Sequence, residues 1–349
     1  MKIQDIYDKI DEFAPFSTAM EYDNVGILLG SGNAEVTKVV VSLDATMETL
    51  EYALGVGAEL VVTHHPVIFH PLKRISQDSV VYQYIRHGVS VLSAHTNLDM
   101  AKGGLNDLLA KRLDLQSVAG FDEISRTPYR KIALRVRQGW VDTVMAAMAG
   151  AGAESFSVSP CQVWADGGME GGASGTPMVL LETVCAPETA SAVLREMLQS
   201  SPDPHPFYDV TEDAVRSSVV YSSRMGVLPV PLTPDGLLSY VKERLGLDSA
   251  GLVCREGMEG YYLNRIGVCS GAGGSLLYAC ARQGIEALIT SEVKHNAAQD
   301  ALEMGIVMID AGHYGTEILM VPAITKKLER EFPQLEILPY VQQQPLQWR

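Results

Sequence analysis

Apolar positions along the chain fall into two alternating kinds of segment. Short runs such as KVVVSLDA (38–45), AELVVTHH (58–65) and VSVLSAHT (89–96) read as buried strands. Between them, TMETLEYALGVG (46–57), SVVYQYIRHG (79–88) and GLNDLLAKRL (104–113) place apolar residues at helical spacing. The last third repeats the alternation with YACARQG (278–284), EALITSE (286–292), AAQDALEMG (297–305), IVMIDAG (306–312) and ILMVPAITKKLEREF (318–332). Alternating strands and helices predict an α/β layer structure.

The texture changes from about residue 130 to 221. A strand-like KIALRVR (131–137) and a helical WVDTVMAAMAGAGAE (140–154) precede a glycine-rich loop, WADGGMEGGASG (164–175). MVLLETVCA (178–186) and a helical PETASAVLREMLQS (187–200) follow. Strand, helix, strand, strand, helix, strand is a split βαβ unit of ferredoxin type. The expected organisation is therefore residues 1–127 and 223–349 as two halves of one α/β domain, interrupted by an inserted α+β ferredoxin-like domain over 128–222.

The outer thirds match each other in order and spacing. Gly57 to His65 (GAELVVTHH) aligns with Gly284 to Glu292 (GIEALITSE), a helix end, a strand and a polar tip. Gly88 to Ala94 aligns with Gly305 to Ala311, after which each half places an acidic residue four positions beyond a histidine: His95 with Asp99, His313 with Glu317. Two related, pseudo-symmetric halves would bring these tips to a shared cleft at the carboxyl ends of their strands, where open α/β sheets bind ligands.

Those tips carry the candidate chemistry. A lone core histidine is usually a packing residue, but His64 and His65 stand together at a strand tip, with His95, Asp99, His313 and Glu317 at equivalent ones. Adjacent strand residues point to opposite faces, so either the chain bends at His64-His65 or the two rings serve two ions. Imidazole with carboxylate and no thiolate suits zinc, iron, manganese or another divalent first-row metal and argues against a closed structural zinc site. Paired ions sharing a carboxylate are the apparatus of metal-assisted hydrolysis. His70, His87 and His205 read as structural or loop residues. The turn Ser270-Gly271-Ala272-Gly273-Gly274-Ser275 opens a helix and is a candidate substrate contact through Ser270, Gly271 and Gly273; His295, on the tip after Thr290, is another. Asp23 or Asn24 could orient a ligand histidine from behind.

Composition narrows the partners. The 349 residues carry a formal net charge of −15, which repels nucleic acid and anionic membranes. No long uncharged apolar run or leader-like start occurs, and five scattered cysteines without a CxxC pair suit a reducing compartment, so a cytoplasmic protein is expected.

The motifs DNVGILLG (23–30), SLDAT (42–46), THHPVIF (63–69), AHTNLD (94–99), SGAGGS (270–275), TSEVKH (290–295) and IDAGHYGTE (309–317) together resemble the Nif-three-like family, whose members carry the name GTP cyclohydrolase I type 2 homologue. The resemblance implies two divalent metal ions per chain held by His64, His65, Asp99, His313 and Glu317, with Glu317 bridging and His95 beside the site as an extra ligand or proton carrier. It also implies a PII/CutA-like insert, a ring-shaped homohexamer, and metal-dependent hydrolysis of a nucleotide or similar small molecule. The alternative is a metal- or nucleotide-sensing oligomer without turnover. The chain departs from the family pattern at Ser291-Glu292.

Overall fold

The structure is a computed structural model that describes residues 1–163 and 176–346; the glycine-rich loop 164–175 lies outside the described residues. The chain forms two compact units, Met1–Glu123 with Val220–Arg349, and Ile124–Val219.

In the first unit one sheet runs in the order Gly26–Leu29, Ser90–Ser93, Leu60–Thr63, Lys38–Ser42, Glu336–Pro339. Its last four strands are parallel and Gly26–Leu29 is antiparallel. Strands in such a sheet must be apolar on both faces, and these are. Val39, Val41, Leu60 and Val62 pack towards helices Ile3–Phe13 and Met320–Glu331, while Val40, Val61 and Val91 face helices Met47–Val56 and Val80–His87.

The second set of strands places Leu263–Val268, Ala287–Thr290 and Val307–Asp310 in parallel, with Gly251–Val253 antiparallel at one edge. Ile266, Val268, Ile289 and Ile309 share a core with Leu109 and Leu113, and Leu288 and Met308 face helices Leu277–Gln283 and His295–Met304. The internal repeat is thus visible in three dimensions. Thr63 pairs with Ser93 as Thr290 pairs with Asp310. Gly57 and Gly284 end their helices at φ 73° and 64°, a left-handed backbone that glycine adopts without a steric penalty. Glu59 and Glu286 each accept two successive backbone N–H groups, from Thr37 and Lys38 and from Asn264 and Arg265.

The halves interlock. Helix Leu105–Arg112 of the first segment lends Leu109 and Ala110 to the second core, and helix Met320–Glu331 and strand Glu336–Pro339 of the last segment complete the first. Cutting the sequence between the halves would therefore open both cores.

The second unit contains helices Val141–Gly150 and Ala190–Ser200 and strands Ala153–Val163 and Thr176–Cys185, together with the neighbouring stretches of Gln116–Val136 and Phe207–Leu232. Ile132, Leu134, Val136, Val179 and Leu181 alternate inwards against Val144, Met148, Val193 and Met197 of the two helices. This is the one-sided burial of an antiparallel sheet covered by helices on one face. Among the described residues no helix is long and apolar enough to cross a membrane.

Candidate metal centre

The strand Leu60–Thr63 stops at Thr63, where the N–H groups of His64 and His65 both turn to the carbonyl of Leu43, at 3.2 and 3.0 Å. The bend releases the two rings from strict strand alternation. His64 is fully buried and faces Asp99, with Nε2 3.6 Å from Asp99 Oδ1. His65 faces the other half, its Nε2 3.3 Å from Nε2 of His313. His313 opens the short helix His313–Glu317, and that turn of helix returns Glu317 to the same point.

Glu317 lies between the two groups. Its Oε2 is 2.9 Å from His65 Nε2 and 3.0 Å from His313 Nε2, and its Oε1 is 3.8 Å from His64 Nε2. Neither of the short contacts is aligned as a hydrogen bond, and Glu317 Oε2 and His64 Nε2 are buried polar atoms with no hydrogen-bond partner. Leaving such groups unpaired costs about 1–3 kcal/mol each, more when charged.

What would satisfy them follows from the backs of the rings. His65 Nδ1 is 2.7 Å from Asp44, His95 Nδ1 2.9 Å from Asp23, His313 Nδ1 2.9 Å from Glu292, and His64 Nδ1 3.0 Å from the carbonyl of Ala94. Each partner is an acceptor, so each Nδ1 carries a proton and donates it. A neutral ring then presents a bare Nε2 lone pair, and two such lone pairs cannot face each other at 3.3 Å without a cation between them. Ligand atoms each ~2.1 Å from one ion stand roughly 3.0–3.4 Å apart, the spacing of His65, His313 and Glu317. The donor set and its spacing fit a divalent metal ion. Two groups can hold one: His65 with His313 and Glu317, and His64 with His65 and His95.

The electrostatics agree. Burial pushes the Glu317 carboxyl up, but His313, His64 and His65 outweigh it and hold the group well below the usual carboxylate range. Burial pushes Asp99 up, and although His64 pulls it back, neighbouring Glu317 adds to the rise. Burial disfavours the His65 cation, yet Asp44 and Glu317 raise its pKa to about 10. Without metal, protons would occupy the place of the ion.

Supporting residues join the two halves. Ser270 donates its hydroxyl to Asp99 Oδ1 at 2.7 Å and its N–H to Asn106 Oδ1 at 2.7 Å. Asn106, 1% exposed, donates in turn to the carbonyls of Asp99 and Ser222. Gly271 sits at φ +63°, and a Cβ there would come within 2.7 Å of Glu317 Oε1, so only glycine lets the turn pass the carboxylate. The N–H groups of Gly271 and Gly273 are spent on Thr316 and Thr290. Those two amides are therefore not free to hold a phosphate, against the expectation for a glycine turn at a helix start.

A cavity of about 330 Å³ adjoins the centre, lined in part by His95, Asp99, Ser270, Gly271, Gly273, His313 and Glu317. His295 is exposed at the start of its helix and is not among the residues lining it. His70, His87 and His205 are also exposed. Asp23 does orient a histidine, His95, as one reading of DNVG anticipates. Asp44, Glu292 and Asn106 support the candidate centre in ways that the sequence did not single out; the tip positions of Asp44 and Glu292 were the available signal.

Comparison with known proteins gives a consistent picture. The chain is 29% identical over 344 residues to the Bacillus subtilis protein named GTP cyclohydrolase 1 type 2 homolog, covering 93% of this chain and 91% of that one. The crystal structure of a Bacillus cereus protein related to NIF3 superposes with a TM-score of 0.90 at 24% identity, covering 100% of this chain and 99% of that one. A Staphylococcus aureus crystal structure superposes at 0.78 with 25% identity and the same coverage. The sequence model of one family matches residues 1–345, and the chain belongs to that family, Duf34/NIF3 (NGG1p interacting factor 3).

Proposed function

We propose that this protein is a dinuclear metal-binding hydrolase acting on a nucleotide or similar small molecule. The observation that carries the proposal is the position of the Glu317 carboxylate. One oxygen faces His65 and His313 at 2.9 and 3.0 Å, and the other faces His64, which in turn faces Asp99. A carboxylate shared in this way is how two neighbouring ions are held. In this reading His65, His313 and Glu317 would hold one zinc, iron or manganese ion, and His64, Asp99 and Glu317 would hold the other.

Bound metal would supply Lewis acidity and an acidified water. The chain's own residues do the rest. Asp44, Asp23 and Glu292 fix three of the histidine tautomers, Ser270 steadies Asp99, and His95 lines the cavity with its Nδ1 tied to Asp23. His95 is therefore placed to carry a proton between substrate and solvent. The glycine turn borders the substrate space through Ser270, Gly271 and Gly273, as contact surface more than as phosphate cradle.

The family name of the relatives, GTP cyclohydrolase 1 type 2 homolog, supports hydrolysis of a ring system as the first reaction class to test. For the region between the halves we propose a ferredoxin-like fold. Its elements run strand, helix, strand, strand, helix, strand, and the strands stand side by side in the order second, third, first, fourth. Family resemblance further supports a cytoplasmic homohexamer.

Elemental mass spectrometry on purified protein tests the centre. Near two ions per chain, falling to one or none in Glu317→Ala, supports the shared carboxylate; metal content unaffected by that substitution would overturn it. Metal-loaded protein that leaves purine and pteridine compounds unchanged would favour the non-catalytic sensor instead.

A further inference from the structure

We infer that the cavity beside the metal centre binds a planar heterocycle bearing adjacent N–H donors and no phosphate chain, with Asp122 recognising those donors. The inference deepens the reading above, because it takes the reacting end of the ligand to lie at the histidine–carboxylate centre. It concerns residues that no metal role accounts for.

The first observation is what the cavity lacks. Among the described residues that line it there is no lysine or arginine, and the acidic groups Asp99, Asp122 and Glu317 all border it. With Asp99 and Glu317 engaged by the proposed metal ions, a triphosphate would meet the Asp122 carboxylate and, among the described lining residues, no cationic side chain. The amides of Gly271 and Gly273 are already bonded, and the net charge of −15 adds a repulsive field. Sites that hold phosphates usually offer free N–H groups, arginine or lysine.

The second observation is what the cavity offers. Tyr22 and Phe69 line it, with ring centroids 6.3 Å apart and planes at 60°. Met100 and Leu276 add apolar wall, and Tyr22 is 66% exposed. Flat rings stack on such surfaces, each base–aromatic contact contributing about 1–3 kcal/mol. A volume of about 330 Å³ suits a ring system or nucleoside and little more.

The third observation is Asp122 itself. It holds a left-handed backbone, φ +61°, that costs a side-chain-bearing residue energy, and its Oδ2 accepts the Ser222 hydroxyl at 2.7 Å. A carboxylate has about four acceptor positions, so Asp122 keeps capacity for a ligand. Adjacent ring N–H and amino donors would match its two oxygens as a pair.

Calorimetric titration of the metal-loaded full chain with guanosine, inosine and GTP, at fixed free metal, tests this. Guanosine presents the adjacent donors, inosine lacks the amino group, and GTP adds the phosphates. The expected result is guanosine at least tenfold tighter than GTP and about tenfold tighter than inosine. Asp122→Asn, which tolerates the same backbone and keeps an acceptor for Ser222, should weaken guanosine about tenfold with metal content unchanged; Phe69→Ala should weaken it independently. GTP binding as tightly as guanosine, or an Asp122→Asn protein with full guanosine affinity, would overturn the inference. So would fully metallated protein that binds none of the three. Protein that takes up no metal would count against the proposed centre alone, since Asp122-dependent guanosine binding would still uphold the cavity.

Discussion

His95 Nδ1 lies 2.9 Å from Asp23 Oδ1, and the same carboxylate accepts the backbone N–H of Asn24 and both the N–H and the hydroxyl of Thr96. One side chain of the DNVG motif thus fixes the imidazole at the cavity and the helix start that carries Asp99.

This cluster sets an acid limit. Burial pushes Asp23 up, but the hydrogen bonds from His95 and Thr96 outweigh it and bring its pKa to about 2, below the ordinary 3.8. A carboxyl depressed by folding contributes stability that is present above the unfolded value and is lost as pH falls through the folded one. The window is therefore pH 4 down to 2, and the contribution is about 2 kcal/mol. Urea midpoints of wild type and Asp23→Asn should differ at pH 6 and converge below pH 4. A gap that persists unchanged at pH 3 would refute the assignment.

Metal uptake should release protons. His65, buried beside Asp44 and Glu317, has a pKa raised to about 10 despite the burial that opposes its charge. At neutral pH an ion must displace that proton, so affinity should rise up to about tenfold per pH unit for each proton released. Titrating zinc or manganese in buffers of different ionisation enthalpy measures the number. A heat independent of buffer would mean that the apo site is already deprotonated.

Gly271 gives a steric test. A methyl group there meets Glu317 Oε1 at 2.7 Å, whereas at Gly257, φ +84°, it meets nothing within 4 Å. Alanine at either position pays the left-handed backbone cost of roughly 1–2 kcal/mol. Only Gly271→Ala should also lose metal affinity, by about tenfold or more. Equal metal affinity in both variants would show that Glu317 can move aside freely.

The strands, the order of elements between the two halves and the equivalence of the His64-His65 and Ser291-Glu292 tips were legible because burial imposes periodicity and the halves repeat it. Asp44, Glu292 and Asn106 were harder to read, because a single polar residue at a strand tip or on a helix looks like any turn or surface residue until a partner far along the chain comes within reach. Asn106 is a case in point: besides the nearby carbonyl of Asp99, it bonds to Ser222 and Ser270, each more than a hundred positions away. The strand Glu336–Pro339 is four residues long, and its place beside Lys38–Ser42 depends on the far end of the chain. The two adjacent histidines left open a bend or two ions, and the bend is visible at His64-His65, whose N–H groups both reach the carbonyl of Leu43.

Asp44 and Glu292 play the same part on opposite sides of the centre, and their surroundings separate them. Asp44 is held in place by Gln342, which accepts its N–H at 2.9 Å and is itself buried, and its contact to His65 is 2.7 Å. Glu292 stands at φ +53°, more exposed, and meets a His313 that is also partly open to water. Carboxylates behind ligand histidines typically contribute 10–100-fold in metal affinity, and solvent screening erodes that contribution. Asp44→Asn should therefore weaken metal binding by about 10–100-fold and Glu292→Gln by less than about tenfold. Raising salt to about 1 M, where the Debye length falls to roughly 3 Å, should shrink the Glu292 effect more than the Asp44 effect. Competition with a chromogenic chelator measures both. Equal losses for the two variants at both salt concentrations would mean that burial does not decide which carboxylate matters, and the orientation of His65 and His313 would then need another cause.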